Sequence, residues 1–162
     1  MITFRYLAVF VLLLLLLPLI AMAEETKKKD NQTQKWTLIL GLVTRHVEPS
    51  ENTNDSSRML GLSYSNWTMA RFTNSYNEAS VFCGKRFQTK ELRHPHYTDF
   101  FIQGNLYAGL LQGYGDRFPN IAGVTLAGLP TAGIGYKKTV LEMLYMPTFK
   151  GGVFTSFLTY RF

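Results

Sequence analysis

Cysteine is almost absent from this chain: Cys83 is the only one in 162 residues. A lone thiol excludes an intrachain disulfide, and Cys83 has no neighbour suited to thiol chemistry. Its expected place is as a small residue in a strand wall. Histidine is scarce too, with three copies. His94 and His96 flank Pro95 without a carboxylate or thiolate set at ligand spacing, so no metal site is expected and both read as solvated turn residues. No long basic block accompanies the net charge of +6, which argues against nucleic acid as a partner. A basic rim facing phosphorylated lipid headgroups fits that charge better, with simple solubility as the alternative.

The apolar run Tyr6–Ile20 has 15 residues, short of the ~20 that a membrane-spanning helix needs. Arg5 precedes it and Ala21-Met22-Ala23 follows it. Positive flank, apolar stretch and small-residue site together predict a signal peptide over 1–23, an uncleaved anchor being the alternative. Residues 24–35 are polar and unpatterned, and read as a flexible periplasmic lead-in.

What the remainder has is alternation. In the last ten residues, Phe162, Tyr160, Leu158 and Phe154 share one face with Ser156. Arg161, Thr159, Phe157, Thr155 and Val153 share the other. An apolar outer face and a mixed inner one suit a wall with lipid on one side. Recurring turn signals divide residues 36–162 into eight expected strands, at 36–47, 58–65, 67–73, 79–88, 99–111, 122–136, 139–146 and 153–162. The connections alternate in character: 48–57, 74–78, 112–121 and 147–152 on one rim; Ser65-Asn66, 89–98 and Lys137-Lys138 on the other. The expected fold is therefore all-β, an eight-stranded antiparallel up-and-down transmembrane barrel. A soluble periplasmic barrel or sandwich is the alternative, but would not need so many apolar residues on both strand faces. Trp36, Trp67, Tyr107, Tyr145 and Tyr160 are expected at the rims, as interface belts require.

Topology then sorts the chemistry. His46 ends the first strand, and Asn74 and Ser75 end the third, on one rim; His94 and His96 lie on the opposite one. A histidine and a serine brought together from separate strands supply a base and a hydroxyl. Pro130 falls inside the sixth strand and Pro147 at the end of the seventh. Proline removes a ladder donor, so neighbouring strands part there. Small residues crowd the sixth strand (Ala122, Gly123, Ala127, Gly128, Ala132, Gly133, Gly135) and leave interior space. Lys85 or Arg86 is expected to point inward and pair with Glu142, because a charge facing lipid is costly.

Thr44-Arg45-His46, Phe72-Thr73-Asn74-Ser75-Tyr76-Asn77, Leu129-Pro130, Gly135-Tyr136, Tyr145-Met146-Pro147 and Tyr160-Arg161-Phe162 resemble segments of the lipid A palmitoyltransferase (PagP) family, in order across residues 36–162. That resemblance implies a monomeric eight-stranded barrel in the bacterial outer membrane with its active rim facing outside the cell. It implies transfer of a palmitoyl chain from a phospholipid donor to the lipid A acceptor of lipopolysaccharide, without a cofactor. His46 matches the family histidine and Ser75 the family serine; Pro130 and Pro147 match a lateral gate for the acyl chain. Two departures stand out. The family aspartate falls on Asn74, which can orient a neighbour but cannot carry charge; Glu48 and Glu78 are carboxylates on the same rim. Residues 24–35 are also too polar for the family's amphipathic N-terminal helix. A non-enzymatic barrel of the same fold is the second reading. A lipid A deacylase ranks lower, since no His-x-Ser pattern occurs at His46, His94 or His96.

Overall fold

The computed structural model describes residues 36–46, 54–56, 58–148 and 151–162. The expected signal peptide 1–23, the lead-in 24–35 and Glu48 lie outside the described residues. Among the described residues there are nine strands: β1 (Trp36–His46), β2 (Leu60–Tyr64), β3 (Trp67–Thr73), β4 (Ala79–Gln88), β5 (Leu92–Arg93), β6 (Phe100–Gln112), β7 (Val124–Tyr136), β8 (Thr139–Thr148) and β9 (Gly151–Arg161). All pairings are antiparallel, and β1 pairs with both β2 and β9 while β4 pairs with both β3 and β6. Eight strands thus close on themselves into a barrel. The two-residue β5 was not foreseen; it prolongs β4 against the start of β6. Among the described residues no helix is long and apolar enough to cross a membrane, a statement that says nothing about strands.

Side-chain alternation builds the wall. In β9, Val153, Phe157, Thr159 and Arg161 are buried, while Phe154, Tyr160 and Phe162 are exposed. The β2–β3 corner is a two-residue turn with positive φ at Ser65 (47°) and Asn66 (73°), the backbone whose twist matches the flanking strands. Outward aromatics pair off along the rim that carries both ends of the barrel, here the lower rim. Trp36 sits 4.6 Å from Tyr64, Phe100 4.7 Å from Tyr136 and Tyr160 5.9 Å from Phe162. Leu60, Leu62, Met69, Ile102, Leu110, Ile134 and Met143 are exposed between the rims, so the barrel has an apolar exterior.

Inside, the lower half is polar and the upper half apolar. Glu142 has no exposed surface and accepts from the hydroxyls of Thr131 (2.7 Å), Tyr107 (3.1 Å to each carboxylate oxygen) and Thr159 (3.3 Å). The chain of contacts runs on through Asn105, Gln103 and Gln88. Arg161 points in and reaches Gln103 and Glu91, the latter at 2.5 Å. Glu91 lies in the break between β4 and β5, and its carboxylate meets Arg161.

Two expectations are corrected here. Tyr107 is not a rim residue but an interior one, 5% exposed. It shares the inward parity of β6 with Phe101, Gln103, Asn105 and Leu111, and an aromatic reaches an interface belt only from the outward parity. The interior pair with Glu142 also differs. Arg86 is buried and inward, but among the described residues no salt bridge joins it to Glu142. Lys85 points outward, its ammonium 5.0 Å from the centre of the Trp67 ring. Cys83 is exposed on the β4 wall, as expected of a small wall residue.

Small residues on β7 do two different jobs. A Cβ at Gly128 would meet nothing within 4 Å, whereas one at Gly135 would strike the Phe101 ring. Gly135→Ala is therefore expected to destabilise the barrel by about 1–3 kcal/mol through forced displacement of that ring. Denaturant unfolding would read the loss, and an unchanged midpoint would mean that Phe101 has room to turn.

Candidate functional site

The upper interior holds a cavity of about 280 Å3. Its walls are apolar, from Ile39, Phe82, Leu111, Leu129 and Phe157, and Tyr107 forms its floor. The Tyr107 ring stands edge-on to Phe82 (6.4 Å) and Phe157 (6.0 Å) while its hydroxyl drops into the polar network below. One residue thus divides the greasy half from the wet half. At the mouth, Met59, Phe72, Tyr114 and Phe118 lie over the apolar space, with Thr44, Asn54, Asn74 and Ser75 beside them. Burial pushes the Tyr114 hydroxyl up to about 12, so it remains neutral at the mouth.

The cavity also reaches the side of the barrel. Every residue of β7 from Val124 to Tyr136 pairs with β6. With β8, however, β7 pairs only from Thr131↔Leu144 down to Tyr136↔Thr139. Above that point β7 and β8 separate, although β8 goes on pairing with β9 up to Thr148↔Gly151. Pro130 occupies the first position beyond the last pair, where a residue without an N–H cannot extend a ladder. Pro147 lies on the β8 side of the same parted stretch, opposite Gly152 of β9. Leu126, Ala127, Gly128 and Leu129 on one flank and Leu144 and Met146 on the other line both the seam and the cavity.

His46 owes its direction to a bulge. Thr37 and Ile39 point inward on β1, so strict alternation would send residue 46 outward. The register against β9 shifts between Gly41 and Val43, leaving Leu42 and Val43 both exposed. Thr44 and His46 consequently face in, and the His46 side chain is only 7% exposed. A bulge beside a functional side chain commonly re-aims it in this way. The His46 ring donates from Nδ1 to Asp55 Oδ1 at 2.8 Å, and its Nε2 is buried with no hydrogen-bond partner among the described residues. That hydrogen bond holds the Asp55 carboxyl below its ordinary value, so Asp55 is a carboxylate across the neutral range.

Asn74 and Ser75 stand on the same rim as His46, at the β3–β4 connection. Asn74 is 2% exposed, and its amide is fully engaged. Its Nδ2 donates to Gly113 O (2.7 Å) and Ser80 Oγ (3.1 Å), and its Oδ1 accepts from the N–H groups of Tyr76 (2.8 Å) and Glu78 (3.0 Å). It therefore locks the turn that carries Ser75 onto the end of β6. Ser75 lines the cavity mouth, and among the described residues no hydrogen bond joins it to His46. Glu78 is taken up by Arg117 at 3.0 Å, and the Arg117 guanidinium lies 4.1 Å from the Tyr76 ring centre. The structure brings His46, Asn74 and Ser75 to one rim, with Pro130 lower on the parted seam and Pro147 at its upper end.

Asp55 was invisible to sequence reasoning. It lies nine residues from His46 in a polar connection, and its contact with the His46 ring follows no sequence periodicity. The bulge was equally hidden, although Gly41-Leu42-Val43 breaks the strand's alternation. His94 and His96 are exposed at the lower rim, remote from this site. Among the described residues no cluster of metal-ligating side chains occurs. Comparison with protein-family models and with curated proteins gives no match.

Proposed function

We propose that this chain is an outer-membrane acyltransferase that moves a fatty acyl chain from a phospholipid to the lipid A part of lipopolysaccharide. The observation that carries this reading is the apolar cavity lined at its upper end by Thr44, Asn74 and Ser75, on the rim that carries His46, and along its side by residues of the parted β7–β8 seam. An acyl tail entering sideways through the seam would lie among Phe82, Leu111, Leu129 and Phe157. Its ester would then sit at the mouth. The exposed apolar wall and the aromatic belts support a membrane setting, since a soluble barrel has no use for so large a greasy surface. The residue likeness to the lipid A palmitoyltransferase family supports the choice of donor and acceptor.

In this mechanism an acceptor hydroxyl attacks the ester carbonyl. His46 Nε2 takes its proton as general base and returns it to the departing lysophospholipid oxygen. Ser75 donates a hydrogen bond toward the oxygen on which charge develops. Asn74 acts on Ser75 at one remove, by fixing the turn that carries it.

Mass spectrometry of lipid A from cells producing the folded, inserted chain tests the reading. One additional acyl mass is expected with the wild type. With His46→Ala the rate is expected to fall by about 10²-fold or more. The same barrel as a non-enzymatic surface protein is favoured by one observation, the missing hydrogen bond between His46 and Ser75. Unchanged lipid A in the presence of folded protein selects that alternative. A loss of acyl mass would instead point to a deacylase.

A further inference from the structure

The segment 54–56 is anchored at both ends of the candidate site. Asn54 donates its backbone N–H to Ser75 O (2.9 Å) and its side-chain amide to Asn74 O (3.2 Å). Asp55 O accepts from Thr44 N–H at 3.2 Å, on the strand that carries His46. A local turn stiffens the segment: Ser56 N–H donates to Asn54 Oδ1 (2.9 Å), and Asn54 Nδ2 donates back to Ser56 O (2.8 Å). None of these bonds involves the Asp55 side chain. They fix where it points, and its Oδ1 lies 2.8 Å from His46 Nδ1.

Chemistry sets the direction of that contact. A carboxylate only accepts, so in the neutral ring the hydrogen resides on Nδ1 and the lone pair on Nε2. Nε2 is the atom left buried and unpartnered among the described residues. A buried acceptor without a donor is uncommon and calls for a functional account. An incoming hydroxyl would supply the missing donor.

We infer that Asp55 is a positioning residue: it holds the His46 ring in the tautomer whose buried Nε2 is a free base on the rim that carries Ser75, and it supplies from the β1–β2 connection the negative charge that Asn74 cannot. The inference rests on the acyl-transfer reading for its consequence, but not for its geometry. Asp55 stabilises the imidazolium that forms when Nε2 takes the acceptor proton, and it never touches the lipid itself. Nitrogen NMR of histidine-labelled barrel in detergent micelles, assigned against His46→Gln, gives the first readout. Wild type is expected to show neutral His46 carrying hydrogen at Nδ1, and Asp55→Ala to move it toward Nε2. Asp55→Glu is expected to restore the Nδ1 form in part.

Transfer kinetics give the second readout. Asp55→Ala is expected to lower kcat by about 10²-fold, with the donor KM little changed. A purely structural loop role would raise KM or unfold the rim instead. An unchanged tautomer in folded Asp55→Ala, or undiminished kcat, overturns the inference. A wild type that transfers no acyl chain sinks the proposed activity, while the tautomer measurement still decides whether Asp55 orients His46.

Discussion

Glu142→Ala is expected to destabilise the barrel by about 3 kcal/mol or more. The carboxylate has no exposed surface and satisfies the hydroxyls of Tyr107, Thr131 and Thr159 at once. Leaving a buried hydroxyl without its partner costs about 1–3 kcal/mol each, though some of that cost overlaps when the groups re-pair with one another. Charge adds to it. Arg86 is 6% exposed, its Nη2 reaches only Thr37 Oγ1 at 3.4 Å, and its Nε and Nη1 have no hydrogen-bond partner among the described residues. With Glu142 gone, the interior would keep the buried Arg86 guanidinium and lose the charge of one buried carboxylate, and an uncompensated buried charge is costly.

The double variant Glu142→Leu with Arg86→Met separates the two causes. Removing both charges and filling the space with apolar groups commonly restores stability. It is expected to recover more than half of the loss seen in Glu142→Ala. Urea unfolding of the micelle-folded barrel, followed by tryptophan fluorescence, reads both numbers. A single variant within 1 kcal/mol of wild type would show that the interior network carries little of the stability.

This network also shows where sequence reading stops. The strand count, the closure and the inward face of β9 were legible, because period-two alternation is imposed by the pleat and survives any detail of packing. The parted seam was legible in Pro130, since a missing N–H has the same consequence in any ladder. Tyr107 was misplaced although its signal existed: Gln103 and Asn105 mark that parity of β6 as interior, and Tyr107 follows in step. The inward turn of His46 has a cause that the sequence did not disclose. Its strand needs the extra residue at Leu42, and one-residue slips flip every side chain beyond them. Asp55 had no local signal at all. Its contact depends on how the connection folds back over Thr44 and Ser75, a tertiary outcome with no periodicity to read.

The second large effect concerns position 74. Asn74→Asp puts a carboxylate where the resembling family has one, and it is nonetheless expected to loosen the site, with a stability loss of about 3 kcal/mol. The substitution preserves shape, so it tests hydrogen bonding and charge without a change of volume. One side-chain oxygen would still accept from the Tyr76 and Glu78 N–H groups. The other would replace Nδ2, which now donates to Gly113 O at 2.7 Å, and would set a negative oxygen against a carbonyl oxygen in a position only 2% exposed. Ser80 can rotate its hydroxyl to donate; the Gly113 carbonyl has nothing to offer. Repulsion there would detach the β3–β4 turn from the end of β6, and Ser75 with it. The sign of the pH dependence follows. Burial and the facing carbonyl raise the folded-state pKa of the new carboxyl above its unfolded value of about 4. The variant is therefore closest to wild type below pH about 4, where the protonated carboxyl regains a donor, and falls behind as pH rises through the higher folded value. Unfolding free energies of the two proteins measured from acid to neutral pH would show a gap that widens with pH. A constant gap, or none, would mean that the Asn74–Gly113 bond does not hold this rim, and that position 74 is free to take a charge.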